Sequence, residues 1–375
     1  MSKKARHSGG EEKMRPRLTP KVFLGLGVFL VALAIAEIAF RLLGWPRFPG
    51  PKTESVRFAF TKTEEGSEPF YVNHPGRITF RYDGNPRGYF DENNEVHHDV
   101  NPLGFRGPAF TRKPEDAFRL VCLGDSFTFG EGVRNEHTYA EIATRSLREE
   151  GCQTDACNLG VGGYNTTQSL GVLERFGFDL KPDVVVLGYT LNDAEPPLFQ
   201  IHSTSGQPVR RDREISIEAE VGFQKPPGSG IYRLRLAQAL WNARHQRKLT
   251  RQTIDYYLSV NDTAGQGWIE SERSLREMIS LCRERDVPCI VVMFPLLFEL
   301  SKDYPFRDIH RRVGEVVTGS GGHFIDLLPA LTGRPPAELI VHPTDQHPNE
   351  KVHEISGKLV AAEIQRHALT GKKAH

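Results

Sequence analysis

The sequence has little of several features that mark common classes of protein. Its 375 residues include only five cysteines and three tryptophans, and 48 lysines and arginines are balanced by 47 aspartates and glutamates. This balance gives no global reason to expect nucleic acid or a strongly acidic partner. We also find no internal repeat and no long low-complexity run. With an ordinary apolar fraction, a chain of this length is expected to bury a sizeable globular core.

The few cysteines fit an oxidising compartment without requiring one. Cys152 and Cys157 are close in sequence, as are Cys282 and Cys289, so each pair could close a local disulfide and leave Cys122 buried and free. The alternative is that all five are small residues of the core. The sequence leaves both interpretations open.

Long apolar runs are also scarce, and the one that is present lies near the N-terminus. It extends from Val22 to Trp45 and is interrupted by one glutamate and one arginine. About 20 helical residues span the hydrocarbon core of a bilayer. Residues 1–21 carry seven basic and two acidic residues, and basic flanks stay on the cytoplasmic side. We therefore predict a basic cytoplasmic tail over 1–21 and a single-pass transmembrane signal-anchor over 22–44, which places the rest of the chain on the periplasmic or extracellular side.

A cleaved signal peptide is the alternative interpretation of this run. Its uncharged part is about as long as a secretory apolar region, and Ala34-Ile35-Ala36 fits a small-x-small cleavage site. The long basic leader and the further apolar residues favour an uncleaved anchor. In that case Glu37 and Arg41, four residues apart, can pair near the outer end of the helix. Both interpretations export the rest of the chain.

Beyond residue 116, short apolar segments alternate with helical ones. The strand-like segments are rich in β-branched residues, and they read "FRLVCL", "ACNLG", "DVVVLGY", "PCIVVMF" and "HFIDLLPAL". This alternation predicts a parallel, doubly wound sheet with helices on both faces and ligand sites at the carboxyl ends of the strands. We expect an irregular N-terminal elaboration over 46–115 and a main domain over 116–370. An insertion over 194–265 interrupts that domain and is a candidate lid or substrate wall.

Four short polar blocks lie at or just past the predicted strand ends. They are Gly124-Asp125-Ser126, "NLGVGGYNT" with Gly163, "GYTLND" with Asn192, and "HPTDQHPN" with Asp345 and His347. Gly-Asp-Ser alone is ordinary turn chemistry. In this order, however, the blocks resemble those of the SGNH hydrolases, the GDSL-type esterases and lipases. The segment "NPLGFRG" ahead of the first block is similar to a membrane-anchored bacterial subgroup.

The resemblance implies a fold and a role for each residue. The implied fold is α/β, a flavodoxin-like three-layer α/β/α sandwich with a parallel sheet, here with an N-terminal transmembrane helix. Ser126 would be the nucleophile, and His347 the base that a serine hydroxyl needs. The backbone N–H groups of Ser126 and Gly163 and the side-chain amide of Asn192 would form an oxyanion hole, in which each donor is worth roughly 3 to 4 kcal/mol. The family uses no cofactor and no metal.

The acid is the point at which the sequence departs from the family pattern. The usual spacing is Asp-x-x-His, whereas this chain has Asp345-x-His347, with Thr344 at the usual position of the acid. Asp345 is the nearest carboxylate, so we predict that it orients His347.

Other interpretations of these residues fit less well. The segment "GVGGYN" lacks the full G-x-G-x-x-G pattern of a nucleotide loop. His342 and His353, taken with Asp345 and His347, match no standard zinc spacing. The G-x-S-x-G elbow of the α/β-hydrolases is missing. We therefore expect no cofactor, no metal ion and no nucleic acid.

These observations predict a serine esterase tethered to a bacterial inner membrane. Its expected partners are the membrane, through the N-terminal helix, and an acyl-ester substrate. The acyl group, for example acetyl, would be carried by an envelope or extracellular glycan or by a lipid. Two alternatives stay open: an O-acyltransferase that modifies an exported polysaccharide, and a non-catalytic envelope scaffold. The oligomeric state is not specified by the sequence.

Overall fold

The computed structural model describes most of the chain after residue 19. The described residues are 20–48, 50, 52–55, 58–60, 71–201, 208–210 and 226–367. The predicted basic tail lies outside them except for its last two residues, and parts of the predicted insertion also lie outside.

The strands are mostly short, and the five strands of the central sheet overlap the five predicted apolar segments. In chain order they are β1 (Thr53–Glu54), β2 (Phe58–Phe60), β3 (Tyr71–Asn73), β4 (Gly76–Arg81), β5 (Glu95–Val100), β6 (Phe118–Gly124), β7 (Thr154–Asn158), β8 (Val184–Tyr189), β9 (Phe199–Ile201), β10 (Pro208–Arg210), β11 (Cys289–Met293), β12 (His323–Asp326), β13 (Ile340–His342) and β14 (Asp345–Pro348).

The helices alternate with the strands of the main domain. They are α1 (Pro20–Leu42), α2 (Ser126–Phe129), α3 (Tyr139–Glu149), α4 (Thr166–Val172), α5 (Arg235–Val260), α6 (Gln266–Arg283), α7 (Arg307–Gly319), α8 (Leu328–Leu331) and α9 (Glu350–Arg366). Around the central sheet, α3 packs on α9 and α4 packs on α6.

Five parallel strands form the central sheet in the order β12-β11-β8-β6-β7. Numbered along the chain, this is the flavodoxin-like order 2-1-3-4-5, so the expected fold is confirmed. Every residue of β8 and β11 is buried, which explains their unbroken apolar sequences. The strand order reverses between β6 and β8, and in sheets of this kind ligands bind beyond the carboxyl ends of the strands at that point.

The segment "HFIDLLPAL" reads as one strand in the sequence, but the structure divides it. The strand β12 ends at Asp326, whose side chain accepts a hydrogen bond from the backbone N–H of Leu328 at 2.9 Å. An aspartate that binds the backbone N–H two residues later forms a local turn, and α8 begins at Leu328 with a proline in its first turn. The turn therefore ends the strand within the apolar pattern.

An antiparallel sheet of β1, β4 and β5 precedes the central sheet in sequence. Thr53 pairs with Arg81 on the β1 side of β4. Arg106 then forms backbone bridges with both Val100 of β5 and Asn158 of β7. The segment before the main domain is thereby joined to the edge of the central sheet.

Residues 20–48 and 226–245 form a compact unit of their own. Its helix α1 has 23 residues, a mean hydropathy of 2.5 in its most apolar window and no buried residue. At ~1.5 Å per residue it is long and apolar enough to cross a membrane. The predicted pair of Glu37 and Arg41 forms at 2.7 Å. The Glu37 carboxylate also accepts hydrogen bonds from the backbone N–H groups of Arg235 and Leu236, at 3.0 and 2.9 Å, and so caps the start of α5.

All five cysteines are free thiols. Cys122, Cys157, Cys282 and Cys289 are buried, and Cys152 is half-buried. The hydrogen bond between Cys282 and Cys289, together with burial, raises the pKa of Cys289. The structure thus supports the interpretation of these residues as small members of the core, and not the disulfide alternative.

Candidate active site

The nucleophile turn, residues 124–133, follows directly from the central strand β6. All seven residues of β6 are buried, and Gly124 ends the strand with a φ of 139°. A Cβ at Gly124 would lie 2.6 Å from the carbonyl oxygen of Gly188, which only glycine avoids. Ser126 begins the short helix α2 and is 6% exposed. The serine is therefore presented at the carboxyl end of a central strand.

Arg106, from the "NPLGFRG" segment, holds the far end of this turn. Its buried guanidinium donates hydrogen bonds to the carbonyl oxygens of Phe129, Gly130 and Val133 at 3.1, 3.2 and 2.8 Å. Burial lowers the pKa of Arg106 to about 9. Because one planar side chain binds three backbone carbonyls, the turn has little freedom to move.

The acid–base hairpin, residues 340–348, consists of β13 and β14. It places His347 Nε2 at 2.8 Å from Ser126 Oγ, and His347 Nδ1 at 2.5 Å from Asp345 Oδ1. Asp345 is fully buried and His347 is 4% exposed. Ser126, His347 and Asp345, which the sequence analysis singled out, thus lie in one hydrogen-bonded chain.

The unusual Asp-x-His spacing follows from the local secondary structure. Asp345 and His347 both lie in β14, where residues two apart face the same side. The backbone N–H of His347 donates to Asp345 Oδ1 at 3.1 Å as well, which closes a tight loop. A strand therefore accommodates a spacing that lacks one of the usual intervening residues.

Three residues that the sequence analysis missed surround Asp345 and His347. Tyr82 donates its hydroxyl hydrogen to Asp345 Oδ2 at 2.8 Å. Lys52 Nζ lies 3.1 Å from the same oxygen and also contacts the Glu131 carboxylate. The only signal for Glu131 is its place five residues after Ser126, and the sequence carries no signal for Lys52 or Tyr82.

These charges set the protonation states at the site. Burial opposes ionisation of Asp345, but Lys52 and His347 hold the pKa of that carboxyl well below its usual range. Burial alone would lower the pKa of His347, yet the carboxylates of Glu131 and Asp345 outweigh it and raise the pKa to about 9. The imidazole is therefore a stronger base than a free histidine.

The oxyanion candidates lie at the ends of the neighbouring strands. Asn192 follows β8, and its amide nitrogen donates to Asp125 Oδ2 at 2.9 Å, beside the serine. In the described part of the chain, its other side-chain atom, Oδ1, is buried without a hydrogen-bond partner. The second amide hydrogen of Asn192 is not used by this bond, since an amide nitrogen carries two.

Gly163 lies in the loop after β7. That loop is attached to the end of β6 through a hydrogen bond of 3.0 Å from Val161 N–H to Gly124 O. Gly163 has a φ of 78°, and a Cβ there would overlap the side chain of Leu198. Leu198 belongs to the described start of the insertion, so this part of it borders the candidate oxyanion site.

Some of these side chains have the donor set of a metal site. Glu131, Asp345 and His347 offer three ligand atoms within 4.8 Å of one another. The ammonium of Lys52 contacts both carboxylates, so each of them already has a cationic partner. Of the other histidines considered in the sequence, His342 contacts the Thr344 hydroxyl at 2.8 Å and therefore has a different partner.

The parallel flavodoxin-like sheet, with Ser126 at the end of its first strand, is the architecture that the sequence analysis expected for the SGNH class of hydrolases. The sequence matches the family model of the GDSL-like lipases and acylhydrolases over residues 122–355. The match covers more than half of the chain, and the protein belongs to this family of ester-hydrolysing enzymes. Among curated proteins, no sequence matches the chain.

Solved structures with a similar fold include a lipase/acylhydrolase and an esterase. The lipase/acylhydrolase from Enterococcus faecalis is 19% identical, with 67% of this chain and 96% of that chain covered and a TM-score of 0.39. A mutant of an acetyl-xylooligosaccharide esterase from Geobacillus is 15% identical, with 68% and 96% covered and a TM-score of 0.40. At this level the similarity concerns the fold and extends no further.

Proposed function

We propose that this protein is a serine esterase in which Ser126 is the nucleophile, His347 the general base and Asp345 the orienting acid. The observation that carries the proposal is the continuous chain of contacts, 2.8 Å from Ser126 Oγ to His347 Nε2 and 2.5 Å from His347 Nδ1 to Asp345 Oδ1. A hydroxyl is a poor nucleophile until a base removes its proton. This arrangement supplies the base and fixes its orientation.

In the proposed reaction, Ser126 Oγ attacks the ester carbonyl while its proton passes to His347 Nε2. The tetrahedral intermediate collapses, the alcohol leaves with that proton, and an acyl-enzyme remains. His347 then takes a proton from water, whose oxygen attacks the acyl group. When this second intermediate collapses, the acid leaves and His347 returns the proton to Ser126 Oγ. Each step needs only the ester, water and groups of this chain.

The negative oxygen of each intermediate requires hydrogen-bond donors. We assign this role to the backbone N–H groups of Ser126 and Gly163 and to the side-chain amide of Asn192. In support, Asn192 is fixed next to the nucleophile turn by Asp125, with one amide hydrogen left over. Donors held in place before reaction stabilise the transition state without paying for reorganisation.

We further propose that α1 anchors the enzyme in a bacterial inner membrane, with the hydrolase domain on the periplasmic or extracellular side. The length and composition of α1 support the anchor, and the basic residues before it support the orientation. The substrates available there are acyl esters of envelope or extracellular glycans and of lipids. Acetyl groups on glycans are the smallest of these.

The first test is serine-dependent hydrolysis by the full chain in detergent. Acetate, butyrate and octanoate esters of p-nitrophenol are compared, and we expect turnover that falls steeply with acyl length for a small-acyl esterase. Ser126→Ala should lower kcat/KM by about 10⁴-fold or more. Ser169→Ala is the matched control, because its buried hydroxyl has no hydrogen-bond partner among the described residues.

Two results would contradict the proposal. Full activity in Ser126→Ala would remove Ser126 from the mechanism. Absence of hydrolysis at every acyl length, combined with Ser126-dependent transfer of acetyl to an added oligosaccharide, would instead identify an acyltransferase.

A further inference from the structure

Two charged side chains that the proposed reaction does not use lie beside the acid–base pair. Lys52 Nζ contacts the Glu131 carboxylate and lies 3.1 Å from Asp345 Oδ2. Glu131 Oε1 in turn lies 3.7 Å from His347 Nδ1. The side chains of Glu131 and Asp345 are fully buried, and that of Lys52 is 13% exposed. Charges buried this deeply interact strongly, because little water screens them.

Glu131 and Lys52 are held in place by different parts of the fold. The backbone N–H of Glu131 donates to the carbonyl oxygen of Ser126 at 3.0 Å, so Glu131 is fixed to the nucleophile turn itself. Lys52 directly precedes β1, and its ammonium lies 5.3 Å from the centre of the Phe80 ring on β4. A cation in that position is attracted to the ring face.

We propose that Glu131 and Lys52 are opposed positioning residues that together set how tightly His347 holds its proton. Glu131 places a second negative charge beside the imidazole and favours its protonated form. Lys52 neutralises part of that charge and so keeps the imidazole able to release the proton. The inference rests on the proposed role of His347 as the base.

Several other described groups also face His347. Asp345 is the hydrogen-bonded acid, and Tyr82 donates to it without carrying charge. Asp125 is a further acidic group that interacts with His347; burial raises its pKa, and Asn192 and the backbone N–H of Phe127 donate hydrogen bonds to it. Burial lowers the pKa of His353 to about 3, so that ring is neutral.

Two further described neighbours of His347 carry no charge. The Phe127 ring lies 5.6 Å from the imidazole, and Ser126 contributes a hydroxyl. Burial lowers the pKa of His342, which pairs with Asp345 across the hairpin. Among the described residues, Glu131 and Lys52 are charged side chains in contact with the Asp345–His347 pair that can be changed without removing a proposed catalytic group.

The test measures the rate at which a fluorophosphonate labels Ser126 in the full chain from pH 6 to 10.5. The acid limb of this profile reports the pKa of the base. Because His347 must be deprotonated to act, labelling falls as the pH drops through that pKa. Glu131→Gln removes the charge that favours protonation, so the limb should move down by about 1 pH unit.

Lys52→Met should move the limb in the opposite direction, up by about 1 pH unit. The double variant removes one positive and one negative charge and should return the limb close to its original position. Lys52→Arg, which keeps the charge, serves as the control. If Lys52→Met fails to fold, the comparison of Glu131→Gln with the double variant still measures the effect of Lys52.

The outcomes separate this inference from the proposed function. Folded single variants whose limbs stay in place, or move in the same direction, would overturn the opposed pair while Ser126 labelling persists. Absence of Ser126 labelling at every pH in the unchanged protein would instead remove the proposed function, on which the inference depends.

Discussion

The nucleophile turn and the acid–base hairpin meet at one site, but the protein holds them in different ways. The turn continues from β6, which pairs with β7 and β8 in the middle of the central sheet. Among the described strands, those of the hairpin pair only with each other. The turn therefore continues from the ladder of the central sheet, whereas the hairpin is attached by packing of Val341 in the apolar cluster that includes Phe129 and Val133, and by side-chain hydrogen bonds.

Those side chains come from several parts of the chain. Asn349 donates to Glu338 O at 2.7 Å, and its oxygen caps α9 through Lys351 N–H at 3.0 Å. Arg87 donates to the carbonyl oxygen of Val341 at 3.0 Å. The turn thus depends on backbone space at Gly124 and on the hydrogen bonds of Arg106, and the hairpin on several side-chain hydrogen bonds and on charge, so substitutions at Gly124 and in the hairpin should fail for different reasons.

Asp345→Asn tests the hairpin most severely, because it keeps the shape and removes the charge. We expect kcat/KM to fall by about 10³-fold, or about 4 kcal/mol of transition-state stabilisation. Some activity should remain, since Glu131 Oε1 still lies 3.7 Å from His347 Nδ1.

The matched control for this variant is Asp326→Asn. Asp326 Oδ1 lies 2.7 Å from His310 Nδ1, so it forms a second aspartate–histidine pair outside the site. That variant should change thermal stability and leave kcat/KM close to its original value. An unchanged rate in Asp345→Asn would mean that another group orients His347.

The difference between the two regions also explains what the sequence could predict. The order of strands and helices, and the blocks carrying Ser126 and His347, follow from local patterns: β-branched runs, helical spacing and polar residues at strand ends. Such signals are contained in a few consecutive residues. The parallel sheet, and the position of Ser126 at the carboxyl end of one of its strands, could therefore be predicted.

The contacts behind Asp345 could not be predicted in this way. Lys52 and Tyr82 contact Asp345 although they lie 293 and 263 residues away from it in the sequence. Neither has a local motif, and pairing between β1 and β4 is what brings them together. Contacts that depend on the register of distant strands carry no signal in a single sequence.

Gly124→Ala tests the nucleophile turn by steric means. The new Cβ would lie 2.6 Å from Gly188 O, a backbone atom of the adjacent strand that cannot move aside cheaply. A φ of 139° is also unfavourable for alanine. We therefore expect the free energy of unfolding to fall by about 3 kcal/mol. Thermal melting and fluorophosphonate labelling of Ser126 measure the two consequences.

Gly171→Ala is the control for this substitution. Gly171 lies in α4, and a Cβ there would have no atom within 4 Å. Alanine in a helix is favoured over glycine by roughly 0.5 to 1 kcal/mol, so this variant should be unchanged or slightly more stable. Equal melting temperatures for the two variants would show that the turn tolerates a side chain at Gly124.

Tyr82→Phe has the smallest expected effect and separates hydrogen bonding from charge at the hairpin. It removes one donor, 2.8 Å from Asp345 Oδ2, while Lys52 Nζ stays 3.1 Å from the same oxygen. A single hydrogen bond to a carboxylate that keeps a cationic partner should cost about 1 kcal/mol, or a roughly fivefold loss in kcat/KM. Tyr304→Phe is the control, because its hydroxyl accepts from Leu296 N–H at 2.8 Å outside the site. That variant should lower the melting temperature and leave kcat/KM unchanged, whereas a Tyr82→Phe loss as large as that of Asp345→Asn would mean that Tyr82, and not the charge on Lys52, keeps Asp345 in its working orientation.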